Sequence, residues 1–157
     1  MKATYLAEDI RMGNKRFWFS VAAVWAVMFV TDWILHGMWM GPLYQTTPEL
    51  WKSQESVKGA IWAAWLGNAI FATAFVWIYS KGISQDSVWS QAFRYAIAIL
   101  LVSKVPTLLG QWTYFAFPNE MIWKWGAIYF VQAFACAFTM AWAWGWSAKW
   151  EHATAGK

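Results

Sequence analysis

The chain has 157 residues, of which 60% are hydrophobic and only 13% charged, with a formal net charge of +4. A soluble domain carries about 25% charged residues, so the deficit excludes an ordinary soluble globule and points to an integral membrane protein. The basic residues are scattered and sit mostly at the ends of apolar runs, which argues against a nucleic-acid partner, and the single cysteine, Cys136, allows neither an intrachain disulfide nor a thiolate metal cluster.

In chain order, the N-terminal stretch MKATYLAEDIRMGNKR contains Glu8 and Asp9 and has no clear small-residue cleavage site, so no removable signal peptide is expected. Four apolar runs follow, at about 17–40, 59–79, 92–115 and 121–146, each near the ~20 residues that cross a hydrocarbon core. The first ends at Gly41-Pro42, the second before Lys81-Gly82, and the third is interrupted by Pro106. Hydrocarbon offers no partner to an open backbone, so each run must be a helix. The expected fold is all-α: a four-transmembrane-helix antiparallel bundle occupying residues 1–157 as a single membrane domain, with a short interfacial helix between helices 1 and 2.

That short helix is read from TTPELWKSQESVKG. Thr47 stands at the N-cap, Pro48 at the first helical position and Glu49 in the first turn, with Trp51 turned toward lipid. The second connection, KGISQDSVWSQ, offers Asp86 or Ser87 as a cap. The third, AFPNE, is short enough to make helices three and four antiparallel neighbours. Lys2, Arg11, Lys15, Arg16, Lys81, Arg94, Lys149 and Lys157 fall on one side of this arrangement and Lys52, Lys58 and Lys124 on the other. By the positive-inside rule both termini are then cytoplasmic, and a bacterial inner membrane is the expected location.

The 16 tryptophans divide between the two ends of the spans, with Trp25 alone clearly mid-span, as an aromatic belt at headgroup depth requires. In WAWGW, however, Trp142, Trp144 and Trp146 point to different sides of one helix, so some must face lipid or another protein. Such surfaces could take other membrane subunits, or a bound lipid, quinone or pigment. Small residues recur at four-residue spacing on helix two, at Gly59, Ala63 and Gly67, and on helix four, at Ala133, Ala137, Ala141 and Gly145. Each set forms a ridge that lets two backbones approach, either within the bundle or against a partner chain.

Polar side chains inside the spans are the candidate functional residues. At 1.5 Å per residue, Asp32 lies ~22 Å along its helix, Lys104 ~18 Å along, Asn68 ~14 Å and Gln132 ~16 Å from the opposite end of theirs. Asp32, Asn68, Lys104 and Gln132 therefore share one buried polar layer, with His36 one turn from Asp32 and Thr107 and Gln111 nearby. A charge at this depth costs ~2.5–3.5 kcal/mol, so an Asp32–Lys104 ion pair is expected, with Asn68 and Gln132 adding hydrogen bonds and Pro106 loosening the helix beside Lys104.

Three uses of the layer compete. It can be polar glue that sets register, a path for protons or small solutes through Asp32, His36 and Lys104, or a metal or haem site on His36, which is short of ligands. Glu49, Glu55 and Glu120 lie in loops, His152 lies in the C-terminal tail, and no nucleophile-base pair, paired carboxylates or metal motif is present. Neither catalysis nor a bound cofactor is expected.

The arrangement DWILHGMWMGPLYQTTPELW followed by GNAIFATAFVWIYSKG resembles a group of small bacterial four-helix integral membrane proteins classed as a domain of unknown function. The matching positions are Asp32, His36, Gly37, Leu43, Tyr44, Trp51, Tyr79, Lys81 and Gly82, mainly in the first half of the chain, with KVPTLLG a looser match. The resemblance implies a fold and a location, not a reaction, and the tryptophan content departs from that group. The expected function is a non-catalytic accessory subunit of a larger membrane complex, with a small transporter or proton-conducting protein as the alternative.

Overall fold

A computed structural model describes residues 15–82 and 87–155, with side chains described as far as Gly145. Lys2, Glu8, Asp9, Arg11, Asp86, Trp146, Lys149, Trp150, His152 and Lys157 lie outside the described residues or side chains. Every regular element among the described residues is helical. α1 (Lys15–Asp32) runs directly into a π-helical segment, Trp33–Trp39. α2 (Gly41–Gln45) and a 3-10 turn at Pro48–Leu50 form the first connection, and α3 (Gln54–Lys81) follows. α4 (Val88–Ile99), a second π-helical segment (Leu100–Lys104) and α5 (Val105–Tyr114) make one long rod, and α6 (Asn119–Ala155) is the last helix. Four stretches, Lys15–Trp39, Gln54–Lys81, Val88–Tyr114 and Asn119–Gly145, are long and apolar enough to cross a membrane.

Two helices start earlier than the apolar runs because caps, not hydropathy, set their beginnings. Ser53 Oγ accepts the Ser56 amide at 3.3 Å and opens α3 at Gln54 rather than near Gly59. Ser87 Oγ accepts the Ser90 amide at 3.1 Å and opens α4 at Val88 rather than near Ala92. Each cap satisfies one of the amide donors that a helix start leaves open. Thr47 does not cap. Its hydroxyl donates to the Leu43 carbonyl at 3.3 Å and accepts the Trp51 indole N–H at 3.1 Å, while Pro48 opens only the 3-10 turn. Trp51 stays 36% exposed, while its ring also meets Tyr44 at 4.8 Å, Phe117 at 6.1 Å and Trp125 at 6.3 Å between centroids.

The interior has two apolar clusters. The larger joins Phe17, Val21, Val24 and Met28 of α1 to Ala72, Phe75 and Val76 of α3, Ala92 and Ala96 of α4, and Ala137, Met140 and Trp144 of α6. The smaller gathers Met40, Met121, Ile122, Trp125 and Ile128, with Leu43, Leu108 and Phe117 against them. α6 runs through both and is the spine, packing on α1, α4 and α5, while α3 packs on α1. Ala133, Ala137 and Ala141 are buried on α6, where small side chains bring the helices close. Gly126 serves the same purpose further along, since a Cβ there would stand 3.1 Å from Leu108 Cδ2. At the other end, Arg16 Nε donates to the Trp144 carbonyl at 3.0 Å and its guanidinium lies 4.2 Å from the Trp144 ring centroid. Trp125 and Trp144 are thus buried structural residues, not members of a surface belt.

α3 is held differently. Its second half reaches α4 through Tyr95, whose hydroxyl donates to the Phe75 carbonyl at 2.7 Å and whose ring packs on Phe75 and Tyr79. Its first half is far less supported: every residue from 54 to 67 is exposed, with Trp65 meeting Phe29 of α1 at 6.4 Å between ring centroids. Gly59, Ala63 and Gly67 lie on this open stretch, and a Cβ at Gly59 or Gly67 would meet nothing within 4 Å.

The two small-residue ridges should therefore respond oppositely to enlargement. Ala137→Leu, which overfills a closed interface, is expected to destabilise the isolated protein by ~1–3 kcal/mol. Gly67→Leu should leave its stability unchanged or slightly raised, because leucine favours helix and finds open space. Thermal or denaturant unfolding in detergent, followed by circular dichroism, measures both.

Candidate functional site

The polar layer separates the two apolar clusters. Asp32 follows Met28 of the larger cluster and precedes Leu35 and Met40 of the smaller, and on α6 Gln132 stands between Ile128 and Cys136. Both carboxylate oxygens of Asp32 are taken. Asn68 Nδ2 of α3 donates to Oδ2 at 2.7 Å, and Gln132 Nε2 of α6 donates to Oδ1 at 2.6 Å. Gln132 also lies 3.4 Å from Thr31 Oγ1, whose proton goes back to the Val27 carbonyl at 2.8 Å. Hydrogen bonds to an ionised acceptor are shorter and about twice as strong as neutral ones, so one carboxylate joins three helices.

The expected Asp32–Lys104 ion pair does not form. The Lys104 ammonium instead sits over two aromatic faces, 5.2 Å from the Phe71 ring centroid on α3 and 5.0 Å from the Tyr129 ring centroid on α6. Two causes act together: the amides of flanking helices occupy the carboxylate first, and the ring faces offer the cation a stabilising clamp within ~6 Å. Lys104 closes the π-helical segment Leu100–Lys104, in which the Val105 amide bonds to the Leu100 carbonyl. Pro106 then falls in the first turn of α5, where a missing N–H is tolerated.

His36 belongs to a second group. Its Nδ1 is 2.7 Å from Tyr44 Oη, and Trp125 Nε1 donates to the same oxygen at 2.9 Å. The His36 and Tyr44 rings are nearly parallel, 7° apart. Since Tyr44 Oη already accepts from Trp125, its own proton is best placed on His36 Nδ1, which gives both hydrogens at that oxygen an acceptor. His36 is then the Nε2–H tautomer. Beside this group, Tyr129 Oη lies 3.4 Å from Gln111 Oε1. Thr107 donates to the Ser103 carbonyl at 2.8 Å and is exposed, so it stabilises its own helix. Among the described residues, no three His, Cys, Asp or Glu side chains converge as metal ligands would.

Sequence reasoning did not find Tyr44, Trp125, Tyr129 or Phe71 as members of this site. His36 and Tyr44 are eight residues apart across a break in the helix at Met40–Gly41, so no helical periodicity links them. Ring faces that hold a lysine leave no signal beyond ordinary apolar residues. Compared with protein-family models, curated proteins and solved structures, the chain matches none.

The clasp and the tyrosine group can each be tested by removing one polar atom. Asp32→Asn puts an NH2 where an amide donor already points, so Asn68 or Gln132 must turn its amide to present oxygen, and both bonds lose their charge assistance. A loss of ~1–3 kcal/mol is expected in detergent unfolding, whereas a carboxylate acting only on mobile protons would leave stability unchanged. Tyr44 lies outside the four spans, and burial raises its phenol above the ordinary 10.0, more than the Trp125 hydrogen bond lowers it. The unfolded chain loses this proton near pH 10 and the folded chain only at higher pH, so stability falls as pH rises between the two values. Tyr44→Phe should remove one late tyrosinate transition from the absorbance titration at alkaline pH. It should also cost ~1–2 kcal/mol at neutral pH by leaving the Trp125 indole N–H without its acceptor.

Proposed function

We propose that the chain is a non-catalytic integral membrane subunit that packs within a larger membrane complex, with α3 as its docking helix. The observation that carries this reading is the open half of α3. Residues 54–67 are exposed throughout, yet they carry the Gly59, Ala63 and Gly67 ridge together with Trp62 and Trp65, which are 62% and 48% exposed. On α6 the comparable Ala133, Ala137 and Ala141 are already buried within the chain, and only Gly145 at its end meets nothing within 4 Å. Small residues are the means by which membrane helices approach where apolar burial gives little drive, so an open ridge suits a helix of another subunit.

In the same reading the four spans alternate in direction, with both termini cytoplasmic in a bacterial inner membrane, as the Lys/Arg distribution favours. The connection of α2 and the Pro48–Leu50 turn lies along the far interface. The polar layer is then the internal clasp that fixes helix register. A second reading, proton or small-solute movement through Asp32, His36 and Lys104, draws support from the π-helical segments that contain or adjoin all three, since π-helical turns concentrate at functional positions. Against it stands the double amide clasp on Asp32, which a mobile proton would have to displace.

Extraction of the tagged chain in a mild detergent, followed by native mass spectrometry, is expected to give a stoichiometric complex with a different membrane protein. Gly67→Leu should remove that partner while the chain stays folded. Recovery only as a monomer or as copies of itself would overturn the subunit reading. Proton flux into liposomes above empty vesicles, lost in Asp32→Asn, would favour the second.

A further inference from the structure

The first connection and the start of α3 enclose a cleft of about 710 Å³, within the ~300–1,000 Å³ of small-molecule sites. One wall is aromatic and already anchored. Trp51 and Tyr44 line it, 4.8 Å apart between ring centroids, and Trp51 stacks on Phe117. Their polar atoms are committed elsewhere: the Trp51 indole N–H donates to Thr47 Oγ1, and Tyr44 Oη joins His36 and Trp125. These two residues therefore offer the cleft ring surface. The facing wall is the beginning of α3, where Gln54, Val57 and Lys58 have the i, i+3, i+4 spacing of one helix face.

Charge gives the cleft its character. Lys52 and Lys58 both line it, and among the described residues no carboxylate does. Glu49 and Glu55 belong to the same stretch of chain without entering the lining. Among the described residues neither lysine makes an ion pair, in contrast to Lys124, which reaches Glu120 at 2.7 Å. Ser53 Oγ accepts the Ser56 amide, which leaves its own O–H to donate, and the Gln54 amide is a further donor in the lining. Two cations and neutral donors with no acid among them suit an anion.

Position selects which anion. The membrane-crossing stretch of α3 begins at Gln54. Lys52 stands just before it and Lys58 ~6 Å along it at 1.5 Å per residue. That is the depth of the head-group layer flanking the hydrocarbon core, where a bilayer carries its phosphates. Further along, Val57 and Ile61 follow one another one turn apart and are 45% and 41% exposed, an apolar track for an acyl chain. They stand two residues before Gly59 and Ala63, about 200° around the helix, so the track and the small-residue ridge use nearly opposite faces.

We propose that this cleft binds the phosphodiester head group of an anionic membrane lipid. The phosphate sits between Lys52 and Lys58, each of which holds it as a point charge. The glycerol part rests on the Trp51 and Tyr44 rings, and an acyl chain follows Val57 and Ile61. The site goes beyond the subunit reading, lies on another face of α3 and does not depend on a partner chain.

The test uses the full chain, delipidated in a mild detergent and titrated with dioleoylphosphatidylglycerol or dioleoylphosphatidylcholine, each lipid-bound state being resolved by native mass spectrometry. The first phosphatidylglycerol is expected to bind about tenfold or more tightly than the first phosphatidylcholine. A basic residue beside an anionic head group contributes about fivefold, so Lys52→Gln and Lys58→Gln should each weaken phosphatidylglycerol roughly by that factor, and the double variant about twenty-fivefold. Phosphatidylcholine affinity should stay unchanged, and Lys52→Arg should retain the preference. Both lysines are exposed, so the variants keep the wild-type helix content. Equal affinity for the two lipids overturns the proposal, as does an equal loss in Lys124→Gln, which would mark general attraction to a basic protein. Displacement of the lipid by glycerol phosphate at matching concentration overturns the lipid as source and assigns the cleft to a soluble phosphate.

Discussion

A carboxylate in an apolar layer has to be satisfied from within the chain, and the packing of this molecule is arranged around that requirement. Asp32 draws Asn68 from α3 and Gln132 from α6 to the same depth. Those two bonds set more than distance. A slip of one residue along either helix would carry the amide ~1.5 Å along the axis and turn it by about 100°, so relative height and rotation of three helices are fixed together. The apolar clusters on either side can then close in one way, with Met28 and Cys136 below the layer and Met40 and Ile128 above it.

The third rod is fixed by other means. It brings no side chain to the carboxylate. Instead Lys104 is clamped between Phe71 and Tyr129, and Leu108 fits against Gly126. π-helical segments occur at both charged positions, directly after Asp32 and ending at Lys104. Wider turns shift the phase of the side chains that follow. The Met40 amide returns to the Leu35 carbonyl, and the chain then turns into α2, which brings Tyr44 back over His36. Pro106 follows the second of these segments, where the helix restarts and asks for no donor.

Much of the architecture is legible in residue order alone, because apolar length and the absence of water determine helices almost by themselves. The long helices are read from composition, although Ser53 and Ser87 move two of their starts into polar sequence that hydropathy cannot see. Depth counting groups Asp32, Asn68, Lys104 and Gln132, but it cannot choose partners. Opposite charge suggests Asp32 with Lys104; two neutral amides and two aromatic faces compete better once the helices are in place. The ridges show the same limit. Gly59, Ala63 and Gly67 have the same spacing as Ala133, Ala137 and Ala141, yet one set is open and the other closed. Spacing says that a helix can be approached closely, while topology decides whether anything within the chain does so.

The spine of the fold has a consequence for how the protein is made. Of the four stretches able to cross a membrane, the last, Asn119–Gly145, is the least apolar and by far the most enclosed by its neighbours. The three before it are more apolar and present most of their surface outward, so each can rest in lipid on its own terms. The helix that binds the assembly together is therefore the one synthesised last and least suited to solitary insertion. Its enclosure is provided by α1, α4 and α5, and Asp32 stands at the depth of Gln132. Without α6, Oδ1 of that carboxylate would lack the amide that Gln132 donates to it.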